Sequence, residues 1–205
     1  MTSPTSGAAR GGRKRDPSRD PVILRAALEE LVEVGYDGMT LDAVAARAKA
    51  SKATVYRRWA TKEDLALAAL AGIGRPFDAG GPPDTGSLRS DLRAVVDSDW
   101  LGGPDRRMRL FAGLTALTTA SPRLAGAIAA QITEPYVDAY TMILRRAGDR
   151  GELAPGADVA LLAQIIPALT TYRLLSTGQQ ADQRFFDAAV DHVVAAASTP
   201  RPDAT

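Results

Sequence analysis

The chain has 205 residues, of which 45% are apolar and 24% charged, with a net charge of +1, so it is long enough to bury a full core without covalent staples. It has no cysteine, which excludes disulfides, thiolate zinc sites and cysteine nucleophiles. Its polar, basic start lacks the apolar core of a signal peptide, and no stretch reaches the roughly 18–20 uninterrupted apolar residues of a membrane span, so a soluble cytoplasmic protein is expected.

Charge is unevenly placed. The first 75 residues carry 13 Lys and Arg against 9 Asp and Glu, and the rest carry 12 against 15. All four lysines lie in the first part. Such asymmetry points to a polyanionic partner for the N-terminal part. Residues 1–20 are rich in Gly, Ser, Pro and Arg and read as a flexible basic arm, since they offer too little apolar surface to fold alone. Arg10, Arg13, Lys14, Arg15 and Arg19 are its cations.

Helical periodicity begins at Pro21. Ile23, Ala27, Leu31 and Val34 recur at spacings of 4, 4 and 3, and Gly35 stands where a C-terminal cap belongs. Thr40, Ser51 and Thr61 each read as an N-cap. They open a short helix with Leu41, Val44, Ala45 and Ala48 on its apolar side, a second through Trp59, and a third with Leu65 and Leu67. Residues 72–86 hold five glycines and three prolines and read as the boundary between a 21–72 domain and an 87–197 domain. Further helices are expected over about 88–101, 104–119, 121–147 with a kink at Pro135, 157–177 with Pro167 inside, and 182–197. A flexible tail, 198–205, follows. The expected fold is all-α, with about nine helices.

The stretch Thr40 to Lys62 carries the function. Two short helices joined by about three residues bury little area unless they cross steeply against a third, as in a helix-turn-helix, whose second helix enters the major groove of DNA. At about 100° per residue, Lys52, Tyr56, Ala53 and Arg57 share one arc, while Val55 and Trp59 point back toward the other helices. Lys52 and Arg57 suit guanine O6 and N7. Ala53 admits close approach and a thymine methyl, and Tyr56 can donate to a phosphate. Thr40, Ser51 and Lys62 stand at helix starts, where amides favour phosphate oxygens. Arg47 and Arg58 are candidates for the DNA backbone, and Thr54 completes the set. The bland alternative is a solvated basic face with simple caps.

From Val22 to Leu70 the chain resembles the DNA-binding domain of the TetR family of bacterial regulators. The stretches AALEELVEVGYDGMTLDAVAARA and ASKATVYRRWATKEDL carry the likeness without a gap. It implies a homodimer on a palindromic operator, most often a repressor released by a small molecule in its C-terminal domain. It also implies base reading by Lys52, Ala53 and Arg57 and backbone contacts from Thr40, Ser51, Tyr56 and Lys62. The family often has an aromatic where this chain has Arg58, which leaves that position's role open.

Residues 87–197 are expected to bind the ligand and to dimerise. Leu161, Leu162, Ile165, Ile166, Leu169, Tyr172 and Leu175, with Phe185, Phe186, Ala189, Val193 and Val194, are more apolar surface than the last two helices need for one small domain. By resemblance they pair with a second copy in a four-helix bundle; internal packing is the alternative. A pocket for a small, partly hydrophobic effector of unknown identity is expected among Trp100, Phe111, Leu114, Leu117, Ile132, Tyr136, Tyr140 and Ile143, each of which is otherwise ordinary core. His192 reads as structural, since a lone histidine without cysteines makes a poor metal site. No phosphate loop, nucleophile motif or metal cluster marks an enzyme, and no cofactor is called for. The competing reading is a constitutive or architectural DNA-binding protein with no effector; only a real cavity within 87–180 separates the two.

Overall fold

The computed structural model describes residues 20–74, 77, 80–100, 102–177 and 181–200, with the side chains of 115, 116, 119, 120, 175 and 177 left aside. The expected arm, with Arg10, Arg13, Lys14, Arg15 and Arg19, and the last five residues lie outside the described residues, as does the Leu175 side chain.

Helix α1 (Asp20–Gly38) buries Ile23, Ala26, Ala27, Glu30 and Leu31 on one face. Its regular part ends at Gly35, whose φ of 70° is a conformation glycine adopts at little cost. Helices α2 (Leu41–Arg47), α3 (Lys52–Arg58) and α4 (Lys62–Ala71) follow, each opened by the hydroxyl foreseen: Thr40 accepts from Ala43 N, Ser51 from Thr54 N and Thr61 from Asp64 N. Val44, Ala45, Val55, Leu65, Ala69 and Leu70 close a core against α1.

Beyond the Gly- and Pro-rich stretch come α5 (Leu88–Val96), α6 (Pro104–Ala120) and α7 (Pro122–Ile128). A π-helical turn, Ala129–Thr133, leads into α8 (Glu134–Asp149); α9 (Val159–Tyr172) runs on through a second π turn, Arg173–Thr177, and α10 (Gln183–Ser198) completes the fold. With α7, its π turn and α8 taken as one long helix, nine helices and no strand stand among the described residues, as expected. The helix expected over 88–101 stops at Val96 instead, because Asp97 caps it and Gly102 and Gly103 turn the chain at positive φ. The distortion expected at Pro135 sits one turn earlier, at 129–133, where proline's missing donor and ring bulk disturb the preceding turn.

Two apolar clusters fill the protein. One joins α1–α4 to Leu110, Leu114 and Leu117 of α6 and to Leu124 and Ile128 of α7. The other packs α5, α8, α9 and α10 around Leu92, Tyr140, Ile143, Leu162, Phe186 and Val190. Gly113 is where α6 crosses α1: a methyl group there would lie 2.5 Å from the Leu31 carbonyl oxygen, so only glycine allows the two backbones to approach this closely. Arg106 pairs with Glu29 across the same joint, and Ser121 Oγ donates to Glu63 at 2.7 Å.

Candidate nucleic-acid interface and ligand cavity

The turn between α2 and α3 is built by the backbone. Ala50 N donates to Ala45 O at 2.9 Å and Lys49 N to Ala46 O at 3.1 Å, the paired bonds of a Schellman cap. The residue in the left-handed position is Lys49, at φ 49°, where glycine is usual. This cap turns the chain sharply, so that Val55, fully buried, anchors α3 from below.

The outer side of α3 is solvent-facing. Lys52, Ala53, Tyr56 and Arg57 are exposed, Tyr56 by 52%, and Thr40 and Ser51 are exposed beside them. Arg57 has no carboxylate partner among the described residues. Lys52 Nζ instead reaches Asp42 on α2 at 2.5 Å. That bond holds the Asp42 carboxyl below its ordinary range, against a smaller opposing effect of burial and with further help from Tyr56.

The other candidates also make contacts within the protein. Arg47 Nε donates to Glu30 at 2.7 Å and its Nη1 to Glu33 at 2.9 Å, clamping α2 to α1. Arg58 is largely covered and pairs with Asp20; it points toward α1, consistent with its place outside the α3 arc. Lys62 Nζ donates to Tyr36 O at 2.9 Å and lies 4.2 Å above the Tyr36 ring, holding the α1–α2 corner. The Thr54 hydroxyl pairs with Ser51 Oγ at 2.8 Å. Apart from the local Ser51–Thr54 bond, periodicity could not reveal these contacts, because each depends on which helix lies opposite.

A cavity of about 130 Å³ opens between α6, the α7–α8 π turn and α9, lined by Phe111, Leu114, Ile132, Tyr136, Pro167 and Thr170 among others. Four of the eight pocket candidates line it. Leu117, Tyr140 and Ile143 are instead closed into the core, and half-buried Trp100 stacks on Tyr136 at 5.5 Å. The wall from α9 and the π turn after it, Pro167, Thr170, Thr171 and Leu174, was missed; threonines and a proline within an apolar helix were its one trace in the sequence. On the last two helices the apolar residues divide. Leu162, Ile166, Phe186, Ala189 and Val193 are core, Ile165, Phe185 and Val194 half-buried, and Leu161, Leu169 and Tyr172 exposed by 54%, 40% and 65%. His192 is exposed, its Nδ1 2.7 Å from Ala188 O. No group of three or more potential metal ligands gathers among the described residues, and none of their helices is long and apolar enough to cross a membrane.

Residues 23–69 match the sequence profile of bacterial regulatory proteins of the tetR family, and residues 82–193 that of the tetracyclin repressor-like C-terminal domain. An uncharacterized HTH-type transcriptional regulator of Mycobacterium tuberculosis is 35% identical over 187 residues, 89% of this chain and 91% of that protein. The DNA-binding transcriptional repressor TetR of Mycobacteroides abscessus is 33% identical, covering 88% of this chain and 94% of its own. The crystal structure of the regulator FadR from Bacillus subtilis, in complex with stearoyl-CoA, shares the fold with a TM-score of 0.58 at 21% identity, over 87% of this chain and 97% of that one.

Proposed function

The chain belongs to the TetR family of bacterial regulatory proteins and is a DNA-binding transcription regulator; from that premise we propose that it is a homodimeric repressor, released from a palindromic operator by a small, partly hydrophobic effector. The observation that carries the reading is α3 itself. It is anchored by buried Val55 and presents Lys52, Ala53, Tyr56 and Arg57 to solvent. Arg57 and Lys52 read guanines, Ala53 meets a thymine methyl, and Tyr56, Thr40 and Ser51 contact phosphates. Arg47, Arg58 and Lys62 hold the reading head together.

Leu161, Leu169 and Tyr172, which α9 exposes together, are the proposed seam with a second copy. Two α3 helices must then lie about one DNA turn apart, roughly 34–36 Å, to enter successive major grooves. An effector that favours another spacing weakens binding by its differential affinity for the two states. The lever has two arms, α4 against α7 and α1 against α6, so a ligand pressing on Phe111 or Leu114 acts on the helix that Gly113 holds against the head. The cavity favours this reading over a constitutive or architectural DNA-binding protein, and FadR of the same fold carries a ligand.

The test is binding to DNA upstream of the protein's own gene, as a salt series, for wild type and Arg57→Ala. Tight binding that falls steeply with salt and loses sequence preference in the variant is expected. Binding that is weak, indifferent to sequence and unchanged by the variant overturns the reading for that DNA, and selection of bound genomic fragments then decides whether any operator exists.

A further inference from the structure

Arg107 of α6 is the largest fully buried side chain among the described residues, at 0% exposure. Its Nη1 donates to the Ser98 carbonyl at 3.2 Å and to Ser98 Oγ at 3.3 Å, and its Nη2 to the Val96 carbonyl. All three acceptors are neutral, and Nε has no hydrogen-bond partner among the described residues. No carboxylate lies within ion-pair distance of it among the described residues. The other buried charges differ: Asp91 is paired with Arg150 and Glu30 with Arg47. The carbonyls at the end of α5 offset part of the charge through the helix dipole, but a guanidinium taken wholly out of water without an anion is left costly.

Arg107 does not itself line the cavity, but it lies one turn before the residues of α6 that do. Arg107, Phe111, Leu114 and Thr118 follow one another at spacings of 4, 3 and 4 along α6, which is one helix face, and the last three line the cavity. Tyr136 closes that end from α8. Its hydroxyl accepts from Tyr140 at 3.0 Å, and no acceptor among the described residues takes its own proton. Burial pushes both phenols up, and the Arg107 charge acts against that in each, so the cation and the phenols share one buried, low-dielectric corner.

We propose that the cavity takes an organic anion, its apolar body among Phe111, Leu114, Ile132 and Pro167 and its carboxylate or similar acidic group on the Tyr136 hydroxyl, with the charge of buried Arg107 acting on it from the same packed corner. This rests on the reading of the protein as ligand-responsive and adds the chemical class of the effector. A bound carboxylate supplies the charge that Arg107 lacks and an acceptor for the Tyr136 proton. In a buried corner such a charge-assisted hydrogen bond is much stronger than at the surface. The volume suits a body about the size of one ring, since an engineered apolar cavity of about 150 Å³ binds benzene.

Calorimetry on the full chain with 3-phenylpropionate, 3-phenylpropanamide and ethylbenzene tests this. The acid is expected to bind at least about tenfold tighter than the amide. Tyr136→Phe should erode that preference, Arg107→Lys should retain part of it, and Arg107→Met should abolish it. Arg107 also caps α5, so Arg107→Met is read only if its helical content and unfolding transition are preserved; Tyr136→Phe and Arg107→Lys carry the test otherwise. Equal binding of acid and amide, or a preference untouched by Tyr136→Phe and Arg107→Lys, overturns the anion assignment and leaves the cavity as a ligand site. Binding of ethylbenzene alone does the same. Failure of all three probes overturns the ligand reading as well.

Discussion

Gly113 and Leu31 stand so close that a single methyl group at position 113 would meet the Leu31 carbonyl oxygen at 2.5 Å. The contact lies between the helix that carries one wall of the cavity and the first helix of the reading head. Gly113→Ala must push α6 off α1. Overpacking of this kind typically costs about 1–3 kcal/mol, and for a chain of this size each kilocalorie lowers Tm by about 2–4 °C. Thermal unfolding by circular dichroism checks this. An unchanged Tm would mean that the two helices separate at no cost.

Asp42 restrains Lys52 on the face proposed to meet DNA. Asp42→Asn removes an anion from that face and frees the lysine for a phosphate or a base. Binding should tighten, and the slope of log K against log salt should steepen by about 0.9 for one added phosphate contact. Fluorescence anisotropy across a salt series measures both. A weaker complex with an unchanged slope would show that Asp42 holds Lys52 in its reading position.

Arg47 joins two carboxylates of α1, Glu30 and Glu33, to α2. Arg47→Gln leaves the buried Glu30 carboxylate without its cation, so the protein should melt at a lower temperature. The salt slope of DNA binding should stay at the wild-type value when measured well below Tm. A loss of about one phosphate equivalent from the slope would assign Arg47 to the DNA backbone instead.

Lys49 occupies a left-handed position, φ 49°, at the centre of the helix-turn-helix. Side chains other than glycine pay roughly 1 kcal/mol there. Lys49→Gly should therefore raise Tm by a few degrees while leaving the turn's two backbone bonds intact. A fall in Tm would show that the lysine's own contacts outweigh its strain.

Glu152 accepts from the Leu88 amide at 2.7 Å and from Arg150 Nε at 2.6 Å. Burial alone would raise its pKa, but the Leu88 amide and Arg150 more than offset this and hold it below the ordinary 4.5. A carboxylate held down in the folded state contributes stability that is complete above its unfolded value and is lost as pH falls through the folded one. Glu152→Gln should thus lower Tm near neutrality, and the gap from wild type should close as the pH drops below about 4.5. Melting curves at stepped pH give the comparison; a gap that persists in acid would trace the loss to shape rather than charge.

The parts of the fold written locally were legible. Thr40, Ser51 and Thr61 cap because a hydroxyl before an apolar period has few other uses, and Gly35 ends α1 through its own backbone freedom. The inner and outer sides of α3 follow from angle alone. Arg47, Lys62 and Arg107 were opaque for one shared reason. The acceptors of a long cation are chosen by tertiary neighbours 9 to 26 residues away, which periodicity does not contain. The cavity was half legible: α6 and α8 announced their aromatic residues, whereas the wall with Pro167, Thr170 and Thr171 depends on which helices face it, which periodicity does not contain.

Leu114 touches the cavity and also belongs to the cluster that fills the reading head. On the proposed ligand-responsive reading, selection for a new effector has little freedom at this position, since a change of volume there is felt beneath α1 as well as around the cavity. Diversification would then be channelled to Thr118, Thr133 and Thr171, which line the same space outside that cluster. For the same reason a hybrid regulator made by exchanging heads at the Gly- and Pro-rich stretch would inherit a mismatched seam. A workable graft would carry α6 along with α1–α4.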